Sequence, residues 1–129
     1  MTFKAKSLAE QTAIITGGAT GIGRAFAEAL IAAGAHVVIA ARRKEVLHRA
    51  ADEMNAKADR ELAHPYAFDV RQPAEIEALV RYTVDRFGAI DLLINNAGLA
   101  VPETVADITD AGWDKVMETN LRGVMQLVR

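Results

Sequence analysis

The chain has 129 residues, of which 51% are hydrophobic and 25% are charged. This length and composition are typical of one folded domain rather than of a disordered segment. The formal net charge of −2 gives no electrostatic reason to expect binding to nucleic acid or to an anionic membrane surface. The chain contains no cysteine, which excludes disulfides, thiolate metal sites and cysteine nucleophiles.

The sequence indicates neither a signal peptide nor a membrane span nor a metal site. Residues 1–7 are followed by Leu8-Ala9-Glu10-Gln11 rather than by an apolar run, and the longest apolar stretch, 25–41, is interrupted by Glu28, Gly34 and His36. The histidines have no partner at ligand spacing, so we predict ordinary surface or strand-end positions for His36, His48 and His64. We therefore expect a cytoplasmic protein without nucleic acid, membrane or metal among its partners.

Short β-like runs alternate with longer helical ones along the chain, which is typical of βαβ units and a parallel sheet. We predict strands at 12–16, 36–40, 63–68 and 91–95, and helices at 22–33, 44–58, 73–87 and 110–129. The inward face of the first helix is predicted to carry Ile22, Ala25, Phe26, Ala29 and Leu30. Gly34 and Gly88 are expected to end the first and third helices, and Thr109 to cap the last.

Right-handed crossovers between these strands give the spatial order 3-2-1-4. The predicted fold is therefore of the α/β class: a truncated, Rossmann-like doubly wound parallel sheet with flanking helices. The fourth strand would lie at an edge of this sheet, although it is apolar. Such an edge favours pairing with another chain, so we expect the fourth strand and the last helix to drive self-association into a homo-oligomer.

A glycine-rich turn, Thr16-Gly17-Gly18-Ala19-Thr20-Gly21-Ile22-Gly23, joins the first predicted strand to the first predicted helix. Glycine lets the backbone come close to a phosphate, and the N–H groups at the start of the helix can then bind it. We predict that this turn binds the pyrophosphate of a dinucleotide through Thr16, Gly17, Thr20, Gly21, Ile22 and Gly23. The alternative is a tight turn that binds nothing.

The end of the second predicted strand indicates which dinucleotide is bound. A carboxylate at this place accepts a hydrogen bond from the ribose 2′-hydroxyl of NAD, whereas an arginine accommodates the 2′-phosphate of NADP. Here Ala41 is followed by Arg42, Arg43 and Lys44. We therefore predict NADP rather than NAD, with Arg42 and Arg43 as the residues that bind the phosphate. A basic helix start that only faces solvent is the alternative.

Three motifs occur in a characteristic order: the glycine turn, Asp69-Val70, and Asn95-Asn96-Ala97-Gly98. Together they resemble the short-chain dehydrogenase/reductase superfamily, with the strongest match at 8–23 and 91–98, and the resemblance covers essentially the whole chain. It implies an oxidoreductase that transfers a hydride between NADP(H) and a carbonyl, an alcohol or an activated C=C bond. In such an enzyme this chain would supply the cofactor-binding part.

The resemblance also implies roles for individual residues. Asp69 matches the acidic residue that contacts the adenine amino group, and Val70 would line the adenine ring. The segment of Asn95, Ala97 and Gly98 would steady the sheet and let the backbone approach the adenosine ribose, and Asn95 can bond to neighbouring backbone. A strand-end Asx turn is the alternative for Asp69.

Asn120 matches the catalytic-tetrad asparagine of the family, which holds a water in a proton relay. It shares a predicted helical stripe with apolar residues, so we expect its side chain to be buried, and a structural core asparagine is the alternative. The stripe consists of Trp113, Val116, Met117, Leu121 and Val124. Gly123 is expected to mark close packing or a bend.

The family's serine and its Tyr-x-x-x-Lys pair have no match here, because in the family they follow the point at which this sequence ends. Tyr66 is followed four residues later by Val70, and Tyr82 by Arg86, so both tyrosines are predicted to be packing residues. We expect residues 1–129 to be an incomplete NAD(P)-binding Rossmann domain that takes a small-molecule substrate only if the chain continues. A non-catalytic dinucleotide-binding or interaction module is the alternative.

Overall fold

The computed structural model describes residues 7–129. Strands and helices alternate through most of this range, as the sequence pattern predicts, with ends that differ by one or two residues. The elements are β1 (Thr12–Thr16), α1 (Gly21–Ala32), β2 (His36–Ala41), α2 (Lys44–Ala58), β3 (Ala63–Ala67), α3 (Pro73–Phe87), β4 (Leu92–Ile94), α4 (Asp110–Met117), a π-helical turn (Glu118–Arg122) and α5 (Gly123–Val128).

Within the described residues, the strands form one parallel sheet in the order β3-β2-β1-β4, which confirms the predicted topology. The register pairs Thr12 with His36 and, on the other side of β1, Ala13 with Leu92. Every residue of β1 is buried, as expected for a central strand covered on both faces. β4 has three residues and lies at the edge of this sheet.

Two hydrophobic layers cover the sheet, because alternate residues of a strand point to opposite faces. Ile15 and Ile39 pack with residues of α1 and α2 on one face. Ile14 and Val38 pack with Ile76 and other residues of α3 on the opposite face. The carboxyl ends of the parallel strands therefore meet at one open edge between these layers.

The inward face predicted for α1 is wrong except at Leu30, which is partly buried against the core. Ile22 and Phe26 are 72% and 46% exposed, whereas Gly23, Ala27 and Ile31 form the buried stripe. The reason is the close approach of the helix to the glycine turn, since a Cβ at Gly23 would collide with the carbonyl oxygen of Gly17. Small residues must therefore face the sheet at this end of α1, and the bulky ones are turned outward.

The last predicted helix is interrupted by the π-helical turn between α4 and α5. Thr109 caps α4 as predicted, with its Oγ1 accepting a hydrogen bond from the Gly112 N–H at 3.1 Å. Gly123 marks close packing, because an added Cβ would lie 2.5 Å from Cγ2 of Val70 and 2.8 Å from its carbonyl oxygen. The wider turn and the glycine together bring this segment against the loop after β3.

His36 and His64 lie near the starts of β2 and β3, as the strand-end prediction expects, but His64 is buried rather than at the surface. His64 is only 4% exposed, and its Nε2 lies 3.1 Å from Nδ1 of His36 in a histidine–histidine hydrogen bond. The ring of Phe87 packs against both imidazoles, with centroid distances of 5.1 and 4.8 Å. This cluster lies towards the amino end of the sheet, away from the open edge.

Candidate functional site

A cleft of about 560 Å³ opens at the carboxyl ends of the strands. In doubly wound sheets, ligands bind in a crevice of this kind. Segments that follow the strands, together with the π-helical turn, supply its walls. The polar and backbone groups that line it include Gly17, Thr20, Arg42, Arg43, Asp69, Val70, Arg71, Asn96, Ala97, Gly98 and Thr119.

The start of α1 has the properties of an anion site. Its N-cap residue Thr20 makes no side-chain cap hydrogen bond within residues 7–129, and the first turn of α1 carries no acidic residue. The backbone N–H groups at this end therefore keep their donor capacity, and the helix dipole adds positive potential. Gly21 has φ +54°, and an added Cβ would have no described atom within 4 Å. These features fit a bound pyrophosphate.

The predicted turn residues take different positions around this helix start. Gly17 and Thr20 line the cleft, whereas Gly21 and Ile22 are exposed and Gly23 is buried under the turn. Thr16 is also buried, and its Oγ1 accepts hydrogen bonds from the N–H groups of Asn96 at 3.0 Å and Ala97 at 2.9 Å. Thr16 therefore holds the segment after β4 against the glycine turn.

The backbone contacts predicted for Asn95 are made by Asn96 instead. The Nδ2 of Asn96 donates to the carbonyl oxygens of Thr16 at 3.1 Å and Gly17 at 3.2 Å. The Oδ1 of Asn95 is buried without a hydrogen-bond partner in the part of the chain that the structure describes. The doubled asparagine was the signal, but it does not reveal which of the two side chains faces the glycine turn.

The positive side of the cleft lies at the end of β2. Arg42 and Arg43 are exposed there and line the cleft. Among residues 7–129, neither arginine forms an ion pair with an acidic side chain. Both guanidinium groups are thus available to an anionic ligand, as the sequence prediction requires.

Asp69 lies at the end of β3 and forms an ion pair with Arg71, a residue that the sequence analysis missed. The backbone N–H of Arg71 donates to Oδ1 of Asp69 at 2.9 Å, which is an Asx turn. The hydrogen bonds from the Arg71 side chain hold the pKa of the Asp69 carboxyl below its ordinary value, although burial acts in the opposite direction. The charge of Arg42 adds a small effect of the same sign as that of Arg71.

Asn120 lies in the π-helical turn, and the expectation that it is buried is wrong. Its side chain is exposed and forms two hydrogen bonds with Leu99: the Leu99 N–H donates to Oδ1 at 2.9 Å, and Nδ2 donates to the Leu99 carbonyl oxygen at 2.7 Å. The neighbouring Thr119 is the buried residue. Its Oγ1 has no hydrogen-bond partner among the described residues, and the residue lines the cleft.

The two tyrosines pack against each other on the α3 side of the sheet, with ring centroids 4.8 Å apart. Their predicted role as packing residues is confirmed. Within residues 7–129, no three histidine, aspartate or glutamate side chains come together as ligands for a metal ion. No helix in the same range is both long enough and apolar enough to cross a lipid bilayer.

Comparison with known proteins identifies the class of protein that this fold and cleft define. The family model described as short chain dehydrogenase matches residues 11–129, so the chain belongs to that family. A sorbitol dehydrogenase of Cereibacter sphaeroides is 38% identical over 119 residues, which are 92% of this chain and 44% of that protein. The resemblance found in the sequence motifs is thereby confirmed.

Solved structures show the same architecture. A citronellol catabolism dehydrogenase of Pseudomonas aeruginosa matches with a TM-score of 0.91 and 36% identity, over 98% of this chain and 51% of that one. An L-sorbose reductase of Gluconobacter frateurii, complexed with NADPH and L-sorbose, matches with a TM-score of 0.90 and 33% identity, over 98% and 48%. The chain spans about half the length of the curated relatives it matches, from 42% to 50%.

Proposed function

We propose that this chain is the cofactor-binding part of an oxidoreductase that transfers a hydride between NADP(H) and a carbonyl, an alcohol or an activated C=C bond. The start of α1 carries this proposal, because its N–H groups lack a side-chain cap within residues 7–129 and open onto a cleft whose rim holds two arginines without an ion-pair partner in that range. The sorbose reductase complexed with NADPH, which shares the fold, supports the choice of NADP. The relatives named above are oxidoreductases, which favours this function over a non-catalytic binding module.

Each part of the cofactor has a place in this proposal. The start of α1 binds the pyrophosphate, and Arg42 with Arg43 binds the 2′-phosphate through charge-assisted hydrogen bonds. The cofactor supplies the hydride chemistry when it is bound. Asn120 is the proposed member of a proton relay, and its two hydrogen bonds to Leu99 fix the loop after β4 against the π-helical turn.

The proposal is tested by titrating the 129-residue polypeptide with NADPH and with NADH and following the fluorescence of the reduced nicotinamide. Neither tyrosine of the chain is followed by lysine four residues later, so binding rather than turnover is the expected readout. We expect NADPH to bind about tenfold or more tightly than NADH, since a hydrogen bond to a charged group contributes about 1.5–3 kcal/mol. Failure to bind either dinucleotide would contradict the proposal.

The variant Arg42→Asp tests the cofactor preference. It places a carboxylate where the 2′-phosphate would lie, so we expect weaker binding of NADPH and a preference over NADH that falls at least tenfold. Arg49→Asp is the matched control, because Arg49 is exposed on α2 and lies outside the cleft. An unchanged ratio of the two dissociation constants in Arg42→Asp would show that Arg42 does not contact the 2′-phosphate.

We also propose that the protein is located in the cytoplasm, as expected from the sequence.

A further inference from the structure

Arg71 holds Asp69 by more than a single contact. Nε of Arg71 donates to Oδ1 of Asp69 at 3.0 Å, and the terminal NH2 group donates to Oδ2 at 2.6 Å. The backbone N–H of Arg71 adds the hydrogen bond to Oδ1. Both side chains are partly buried, with exposed fractions of 29% for Arg71 and 18% for Asp69. A bidentate pair of this kind fixes the plane of the carboxylate.

These hydrogen bonds leave the carboxylate of Asp69 with little remaining acceptor capacity. An ionised carboxylate oxygen accepts about two hydrogen bonds in its plane. Oδ1 has its two donors, the backbone N–H and Nε of Arg71, whereas Oδ2 has one short bond and a longer contact to the same Nε at 3.2 Å. About one acceptor position therefore remains, and it belongs to Oδ2. The N–H of Asp69 is itself bonded to Oε2 of Glu75 at 2.6 Å, which anchors the residue from the other side.

The strand order indicates which part of a dinucleotide reaches this carboxylate. The pyrophosphate site lies after β1, and the arginines that would bind the 2′-phosphate lie after β2. β3 is the next strand on the same side, and Asp69 and Arg71 follow it in the same cleft. A ligand that runs from β1 across β2 therefore places the base of its adenosine half beside Asp69.

We propose that Arg71 is a positioning residue that sets the base specificity of the cleft, by presenting one acceptor position of Asp69 to the 6-amino group of adenine. This inference rests on the proposed function, because it requires the dinucleotide to occupy the cleft. The 6-amino group is a donor that the remaining position on Oδ2 can accept. A base with a carbonyl oxygen at the same place meets the carboxylate with an acceptor and is rejected.

The test compares NADPH with its reduced hypoxanthine analogue, in which an oxygen replaces the 6-amino group. Both are titrated against the wild-type polypeptide and against Arg71→Gln, Arg71→Lys and Asp69→Asn. Arg81→Gln is the matched control, because Arg81 is exposed on α3 and lies outside the cleft. The readout is the ratio of the two dissociation constants in the same protein sample. Partial unfolding of a variant lowers the apparent affinity for both ligands by the same factor and leaves this ratio unchanged.

We expect the wild type and Arg81→Gln to prefer NADPH about tenfold or more. Arg71→Gln is expected to lower this preference to less than about threefold, and Asp69→Asn to abolish it. Arg71→Lys keeps the charge without the bidentate geometry and is expected to restore only part of the preference. An unchanged ratio in Arg71→Gln, with NADPH still bound, would overturn this inference alone. A wild type that binds neither ligand would instead overturn the proposed function.

Discussion

Two adjacent asparagines, Asn95 and Asn96, differ in whether their side chains bond to the glycine turn. Asn96 ties the segment after β4 to the glycine turn through the carbonyl oxygens of Thr16 and Gly17. Asn95 has an Oδ1 without a partner in residues 7–129. Successive side chains in an extended segment point in opposite directions, so only one of the pair can reach the turn. The contact that supports the proposed cofactor site therefore depends on Asn96.

We predict that Asn96→Ala lowers the free energy of unfolding by about 1–3 kcal/mol, because the carbonyl oxygens at the glycine turn lose their donor. NADPH binding should weaken as well, since the same hydrogen bonds hold the turn in place. Urea titration and fluorescence titration measure the two effects. Asn95→Ala is the matched control and should cost less, because its Oδ1 forms no hydrogen bond in the described structure. Equal losses in both variants would refute the assignment.

At the scale of elements, the segment from α4 to α5 combines a close contact with an uncovered face. Gly123 packs against Val70, which brings the π-helical turn to the cleft. The opposite face exposes a run of large apolar side chains at helical spacing, namely Trp113, Leu121, Met125 and Val128. Acidic residues lie near the start of this segment, and arginines lie near its end. An antiparallel second copy would match opposite charges along the same apolar stripe.

We propose that this face drives self-association of the 129-residue polypeptide. Leu121→Lys places a charge in the middle of the stripe and should lower the apparent mass at high protein concentration, measured by light scattering. Val105→Lys is the control, since Val105 is 96% exposed in the loop before α4 and lies outside the stripe. A wild type that is monomeric at high concentration, or a Leu121→Lys variant that associates equally well, would argue against this interface.

The sequence predicts the elements better than it predicts which residues face each other. Apolar runs and the glycine turn located the strands, their order and the cleft, because periodicity and crossover handedness are local or general rules. The inward face of α1 was wrong because the approach of Gly23 to Gly17 overrides the spacing of Ile22 and Phe26. Arg71 was missed because its pairing with Asp69, although only two residues away, depends on the conformation of the loop after β3. Thr119 was missed because the π-helical turn, which the helical spacing does not predict, places it at the cleft.

At the scale of the whole molecule, the two ends of the sheet differ in chemistry. The carboxyl ends carry the cleft with its arginines, and the amino ends carry the half-buried His36 and the buried His64. Burial, with smaller contributions from the charges of Arg86 and His36, lowers the pKa of His64 to about 4. Arg86 is itself 3.6 Å from a carboxylate oxygen of Glu61. Between about pH 4 and pH 6.5, His64 is therefore neutral in the folded protein but protonated in the unfolded chain.

We predict that His64 makes the protein less stable in mild acid. Above pH 6.5, the ordinary pKa of histidine, the imidazole is neutral in both states and its contribution is complete. As the pH falls from 6.5 to about 4, the unfolded chain is protonated first, so the free energy of unfolding decreases by up to about 3 kcal/mol. Urea titrations of wild type and His64→Gln across this range should differ in slope.

The exposed His48 provides the control for this comparison, since His48→Gln should keep the slope of the wild type. Carboxylates also titrate in this range, but they do so in all three proteins, so the difference between wild type and His64→Gln isolates the imidazole. Identical slopes in wild type and His64→Gln would show that the buried His64 does not take part in acid destabilisation.

The seclusion of the His64 imidazole also makes it a natural spectroscopic probe. Its ring protons lie close to the ring current of Phe87, so their nuclear magnetic resonance signals should be shifted and well separated from those of the other histidines. Adding a nucleotide at the far rim should leave that signal untouched, whereas melting should return it to the random-coil frequency. One resonance would then report loss of tertiary order independently of ligand binding and without any label.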